Sequence, residues 1–271
     1  MSLETTTTFF LKKNADNRFV KPNEDYIICN FKDCLFIIAD GVTREIVNNM
    51  YPNPSPASEV SKLFCDFFNS NWSPSYNEGD IKNNMIKVAK EANKKLHRYN
   101  KYHKDNSINF EPAGTVAIIA HIFNNKLHLI YNGDCGCLLV RDNNIIQLSK
   151  SQTKLVIENR QNLSRYEIRN NIVNNKQHPM SFGVYNGDER VIEFIEYNHF
   201  DLLNNDIIII YSDGCEPAIN ELSTNHLIHY SAKSIVLKSE EIEREKKIRS
   251  DDKSLIKIKY NSDETTSGNN R

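Results

Sequence analysis

Several acidic residues in this chain are conspicuous for where they fall. The apolar runs Leu35-Phe36-Ile37-Ile38-Ala39 and Ile207-Ile208-Ile209-Ile210-Tyr211 lead into the Asp-Gly pairs Asp40-Gly41 and, one serine later, Asp213-Gly214. Leu129-Ile130-Tyr131-Asn132-Gly133 leads into Asp134, while Asn23-Glu24-Asp25 and Ser250-Asp251-Asp252 each precede an apolar run. Carboxylates at the rim of a core are costly to desolvate and repel one another, so several meeting there call for a cation. Their hard oxygens suit Mg²⁺ or Mn²⁺, and a glycine after the aspartate lets a main-chain carbonyl approach the same ion. Two such ions sharing one carboxylate can hold a bridging water as hydroxide for in-line attack on phosphorus, which needs no protein nucleophile. Asp-Gly is also an ordinary turn sequence, but two pairs that end long apolar strands favour the site over the turn.

The elements that must carry these residues are mostly strands. Short blocks rich in Ile, Val, Phe and Tyr predict strands over 26–29, 34–39, 115–123, 126–131, 137–140, 191–197, 207–211 and 255–260. Asn30 to Asp33, Asn124-Asn125 and Asp142-Asn143-Asn144 have hairpin spacing, which argues for antiparallel sheets and against a parallel doubly wound fold. Helical periodicity appears twice. Val60, Leu63, Phe64, Phe67 and Phe68 share a face behind the N-cap pair Ser55-Pro56, and Ile81, Met85, Val88, Ala89, Ala92, Leu96 and Tyr99 recur at steps of three and four. Residues 149–179 are polar and Asn-rich, with room for a short helix and a flap, and 240–248 reads as a charged helix. No repeat or linker interrupts the chain, so a single α+β domain over 1–260 with a polar, disordered tail over 261–271 is expected.

Composition excludes some partners. Thirty-four Lys plus Arg against thirty-five Asp plus Glu leave a formal charge of -1 over 271 residues, so no global field draws the chain to nucleic acid or acidic lipid. No apolar run approaches the about 20 residues of a membrane helix, and the first residues lack a basic and an apolar signal region. A cytoplasmic monomer that binds neither nucleic acid nor membrane is the expectation. Cys29, Cys34, Cys65, Cys135, Cys137 and Cys215 contain no CxxC pair and read as reduced thiols.

Taken in order, Asn23-Glu24-Asp25, Ala39-Asp40-Gly41-Val42, Ala113-Gly114-Thr115-Val116-Ala117, Asn132-Gly133-Asp134-Cys135, Ser212-Asp213-Gly214 and Asp251-Asp252-Lys253-Ser254 resemble the metal-dependent protein phosphatases, the type 2C serine/threonine family. The resemblance covers nearly the whole chain. It implies a four-layer αββα sandwich of two antiparallel sheets flanked by helix pairs. It also implies a signalling hydrolase that acts on phosphoproteins through a hydroxide bridging two Mn²⁺ or Mg²⁺ ions. Carried over by motif, Asp40 bridges both ions, Asp213 and Asp251 complete the first, the Gly41 carbonyl binds the second, and Glu24 and Asp25 hold ordered waters. Asp134 with Asp213 matches the place of a third, weaker ion. Asp251 rather than Asp252 takes the ligand role because Ser254 stands three positions after it.

The chain departs from the family where substrate is gripped. The arginine usual five residues before the first motif's aspartate is Val20, leaving Arg18, Lys21 or Arg44 as candidate phosphate contacts. Thr43-Arg44 replaces Gly-Gly, Val42 stands where some members have a histidine, Val116 replaces a hydroxyl residue, and Glu216-Pro217 stands where an aspartate often follows. These departures keep a second reading open, a non-catalytic phosphatase-like domain that binds a phosphoprotein partner. Cys135 to Arg141 has the C-x5-R spacing of thiol phosphatases, although Leu138-Leu139-Val140 reads as strand. His178-Pro179, near the flap, is placed to approach substrate.

Overall fold

β-branched runs that bury both faces make the two central sheets. The computed structural model describes residues 12–13, 20–42, 51–52, 54–74, 77–105, 111–248 and 251–261, with 12–13 and 20–21 given by backbone alone. The tail expected to be disordered lies, beyond 261, outside the described residues. Two-residue strands β1 (Lys12–Lys13) and β2 (Val20–Lys21) pair with each other. One sheet sets β3 (Tyr26–Asn30), β4 (Leu35–Gly41), β5 (Thr115–Phe123), β6 (Lys126–Tyr131) and β9 (Glu196–Asp201) side by side in that order. The other has β7 (Gly136–Arg141) and β8 (Asn144–Gln147) at one side, β10 (Ile207–Tyr211) next to β7, and β11 (Leu255–Lys259) at the far edge. Every pairing is antiparallel. Asn124-Asn125 and Asp142-Asn143 close their hairpins with both residues left-handed, φ 48° and 58° in one and 49° and 61° in the other. That geometry matches the twist of the flanking strands.

Alternation sorts the strand residues into three apolar layers. Phe36, Ile38, Ile118, Ala120, Leu127 and Leu129 face Cys137, Leu139, Ile208, Ile210, Ile256 and Ile258 between the sheets. The outward residues Leu35, Ile37, Ala39, Ala117 and Ile119 pack against α1 (Pro56–Asn71) and α2 (Glu78–Asp105) through Val60, Phe64, Phe68, Ile81, Met85 and Leu96. Leu138, Val140, Ile207 and Ile209 pack against a second helical layer. That layer holds α5 (Glu216–Glu221), α6 (Thr224–His229) and α7 (Ala232–Lys246), and completes the αββα order. Ser55 caps α1 by accepting from Ser58 N at 3.3 Å, with Pro56 at the first helical position, as the pair predicts.

Three expectations are corrected. The strand expected over 191–197 begins only at Glu196: Asp188 accepts from Arg190 N at 2.9 Å and starts a 3-10 turn over Glu189–Phe194. There Val191 and Phe194, three apart, bury on one face. The strand of this region is β9, immediately after. The charged helix expected over 240–248 begins at Ala232, capped by Ser231 accepting from Ser234 N at 3.1 Å. Edge strand β8 was visible only as the far arm of a hairpin, because its four residues are all exposed.

Between the sheets' ends the chain makes an excursion over 149–183. It contains α3 (Lys154–Glu158), α4 (Arg165–Glu167) and a wide turn over Ile168–Ile172. Val156 and Ile172 sink into the inter-sheet core. Its neck is tied by Gln152, whose Oε1 accepts from Gly133 N at 3.0 Å and Gly183 N at 3.2 Å while Nε2 donates to Phe194 O at 2.7 Å. Among the described residues no helix is long and apolar enough to cross a membrane.

Candidate active site

Each aspartate of interest sits where a strand runs out. Asp40 ends β4, opposite Val116 of β5, and Thr115 Oγ1 donates to its carbonyl at 2.7 Å. Gly41 N donates to Glu24 O at 3.1 Å, and a Cβ at Gly41 would lie 2.8 Å from that same oxygen and 2.9 Å from Ala57 O. Asp213 follows β10 in a tight turn, where a Cβ on Gly214 would stand 2.0 Å from Asp252 O. Asp134 follows Gly133, whose φ of 72° makes the bend, and accepts from Thr153 Oγ1 at 3.1 Å through Oδ2. Asp251 precedes β11; Lys253 Nζ donates to its carbonyl at 2.8 Å and pairs with Glu243 at 2.8 Å, both side chains being buried.

Asp40, Gly41, Asp134, Asp213 and Asp251 line one cavity of about 660 Å³. Burial raises the Asp40 carboxyl well above its usual range, and the next influences are Asp25, Asp213, Asp134 and Asp251, all of which push the same way. Asp213 and Asp134 are likewise raised, first by burial. Among the described residues, Asp213 Oδ1 and Asp25 Oδ1 are buried with no hydrogen-bond partner. Carboxylate oxygens and a nearby main-chain carbonyl form a donor set suited to a hard divalent cation. Among the described residues no three His, Cys, Asp or Glu side chains already form a cage around one point. The aspartates are neighbours around a shared space, and rotation of their side chains is what would draw the oxygens onto an ion.

Glu24 and Asp25 stand behind the cavity and do not line it. Glu24 Oε1 accepts from the hydroxyls of Ser55 and Tyr51, and its N donates to Asp252 Oδ2 at 3.0 Å. Asp25 Oδ2 accepts from Ser212 Oγ at 2.7 Å, and Ser212 Oγ in turn accepts from Ser254 N at 2.9 Å. These bonds lace the start of β3 to the ends of β10 and β11. The C-x5-R reading fails: burial pushes the Cys135 thiol well above its usual range, and Arg141 donates to both Asp206 oxygens, at 2.9 and 2.6 Å. His178 Nδ1 accepts from Met180 N at 3.2 Å, closing a turn rather than lining the cavity. Arg18, Arg44 and the Lys21 side chain lie outside the described residues.

The sequence model of protein phosphatase 2C matches residues 10–176, more than half of the chain and inclusive of Asp40 and Asp134. The chain belongs to the protein phosphatase 2C family. It is accordingly a phosphoprotein phosphatase, a hydrolase. No curated relative matches its sequence. Its fold is similar to the Mycobacterium tuberculosis serine/threonine phosphatase PstP/Ppp, with a TM-score of 0.67 at 16% identity over 96% of this chain and 99% of that one. A catalytic domain of PstP in complex with two manganese ions gives 0.65 at 15% identity over 95% and 98%. PppA, a regulatory component of the type VI secretion system in Pseudomonas aeruginosa, gives 0.65 at 12% over 96% and 99%.

Within this phosphatase 2C framework two features went unread in the sequence. Glu216 lines the same cavity, and burial, with Asp213 beside it, pushes its carboxyl up to about 7. It joins the acidic group although its motif departs from the family pattern. Arg160, Arg165 and Arg169 of the excursion also line the cavity. They lie in a segment without regular periodicity, where single arginines carry no signal above a polar loop.

Proposed function

We propose that the chain hydrolyses phosphoserine and phosphothreonine in proteins. Asp40, Asp213 and Asp251 with the Gly41 carbonyl would hold two Mn²⁺ or Mg²⁺ ions, and Asp134 would offer a weaker third position. One observation carries the reading: aspartates from four separate segments line a single cavity, where burial first and then their neighbours' charges raise the Asp40 carboxyl. The manganese pair of the PstP catalytic domain, a protein of similar fold, supports the same ion type here. Bound ions supply Lewis acidity that lowers the pKa of water toward neutrality and polarises the phosphoryl oxygens.

The protein's own groups do the positioning. Thr115 fixes the end of β4, so Asp40 projects from a rigid strand, and the bare Cα of Gly41 lets the strand end pack closely against Glu24 O and Ala57 O. The Ser212 hydroxyl holds Asp25 while Ser254 N holds Ser212, which keeps the rear carboxylates in place to order water. Val42, Val116 and Phe182 line the cavity with apolar surface, which strengthens each electrostatic contact inside it.

Purified protein with added Mn²⁺ should hydrolyse an aryl phosphate and a phosphothreonine peptide, and chelator should abolish this. Asp40→Asn and Asp213→Asn should each lower kcat by more than about a hundredfold, since even residues behind metal ligands are worth ten- to a hundredfold. Turnover that survives both substitutions would refute the reading. Mn²⁺ binding seen by calorimetry without turnover of any phosphopeptide would instead favour the phosphatase-like binding domain.

A further inference from the structure

Four basic side chains line the cavity: Arg160, Arg165, Arg169 and Lys246. Lys246 is paired with Glu221 and Arg169 with Glu111. Arg165 differs. Its Nη1 is buried and, among the described residues, has no hydrogen-bond partner; Arg169 Nη1 is likewise buried, but Arg169 has Glu111 beside it. An enclosed donor left unpaired is costly, so this nitrogen is poised to take an acceptor brought into the cavity. No arginine figures among the leading influences on Asp40, Asp134 or Asp213, so this guanidinium is not their counter-ion.

Arg165 is also held in place. Ser164 Oγ accepts from Glu167 N at 3.2 Å while Ser164 N donates to the Glu167 carboxylate at 2.8 Å, a reciprocal cap that fixes the backbone on which Arg165 stands. Val156 and Ile172, on either side of it in sequence, are anchored in the inter-sheet core. A planar guanidinium carried on a fixed stretch of backbone, in a cavity whose carboxylates are suited to cations, matches a tetrahedral oxyanion.

We propose that Arg165, seconded by the exposed Arg160, receives the phosphoryl oxygens of the substrate, the part first sought at Arg18, Lys21 and Arg44. This deepens the phosphatase reading and rests on it. The phosphomonoester itself, rather than an acidic side chain flanking it, is the group recognised.

The test measures binding as well as turnover. Inorganic phosphate and a fluorescent phosphothreonine peptide with neutral flanks are titrated into the wild type, Arg165→Ala, Arg165→Lys and Arg160→Ala in the presence of Mn²⁺. A parallel arm uses the unphosphorylated peptide with aspartates beside the threonine. Thermal melting checks that each variant is folded, and Arg165→Lys keeps the charge and the stem if Arg165→Ala is not. Both Arg165 variants should weaken phosphate and phosphopeptide binding by about tenfold or more, with a smaller loss in Arg160→Ala, and should raise KM for aryl phosphate. Unchanged phosphate affinity in a folded Arg165 variant, or a loss confined to the aspartate-flanked peptide, overturns the proposal. Should the wild type show no Mn²⁺-dependent turnover, the phosphatase reading fails by itself, and the phosphate titration still decides whether Arg165 is an oxyanion contact.

Discussion

Lys253 and Glu243 illustrate how a buried ion pair at the wall of the cavity can govern the site. Their ends are 2.8 Å apart and almost wholly enclosed, and the same ammonium donates to the carbonyl of Asp251. Glu243→Gln leaves a buried cation short of its counter-charge, which costs about 3–5 kcal/mol and should appear as a lowered urea midpoint. Replacing both residues with Leu at 243 and Met at 253 should restore much of that stability, because a packed apolar pair avoids the desolvation cost. Mn²⁺ affinity should stay weakened in the double variant, since nothing then holds the Asp251 carbonyl. At this scale the sequence was legible where a motif had direct chemical meaning. Asp40, Asp134 and Asp213 were named from strand ends, Asp251 was preferred to Asp252 by the family resemblance, and the structure brings all four to one cavity. Arg165 was not legible, because what singles it out is an enclosed nitrogen, a property of packing alone.

Among the elements, β5, β6 and β10 have the limits read from sequence, since short apolar runs bordered by turn-forming residues, such as Asn124-Asn125 between β5 and β6, leave little choice. Residues 189–194 were misread because Val191, Ile192, Phe194 and Ile195 satisfy a strand by composition, and only the Asp188 cap decides otherwise. β9 was obscured by its mixture of Glu, Asn, His and Asp on a half-buried edge. That edge continues a cross-strand row, His121 opposite His128 and His128 opposite His199. His128 Nδ1 shares a 2.9 Å hydrogen bond with Tyr197 OH, and Glu78, Lys126 and His199 surround it. Burial, then His121, push His128 down to about 4, and burial lowers His121 as well. The unfolded imidazole titrates near 6.5, so the unfolded chain takes up protons first on acidification. The His128 contribution is therefore intact above about 6.5 and lost as pH falls toward about 4. Raised aspartates act in the opposite sense, so the difference between wild type and His128→Phe isolates the histidine. That difference in urea midpoint should narrow or reverse between pH 7.5 and 5, and a pH-independent difference would refute the assignment.

For the whole molecule, the site joins layers that elsewhere meet through an apolar core and a few polar ties, such as Arg141 Nη2 donating to Asp201 O at 2.7 Å and Asn198 Nδ2 donating to Leu148 O at 3.0 Å. Asp40 belongs to one sheet, Asp213 and Asp251 to the ends of the other, and Asp134 to the crossing between them. Their repulsion opposes closure of the sandwich at that end, and cations that bind only the folded state oppose unfolding. At free Mn²⁺ a hundred times its dissociation constant the gain is about 2.7 kcal/mol, which for a chain of this size raises Tm by several degrees. Calorimetry should show that rise in the wild type and lose it in Asp40→Asn, even though the substitution relieves repulsion and raises Tm without metal.

The knot made by Gln152 sets how this framework can change. By gripping Gly133, Gly183 and Phe194 at once, it lets the intervening stretch begin and end at nearly the same place. Chain between Gln152 and Gly183 can vary at its exposed surface while the strands outside keep their register, provided that Val156 and Ile172 keep their places in the core. A phosphatase built this way can change its target within one cassette, so long as the residues that grip the phosphate travel with it.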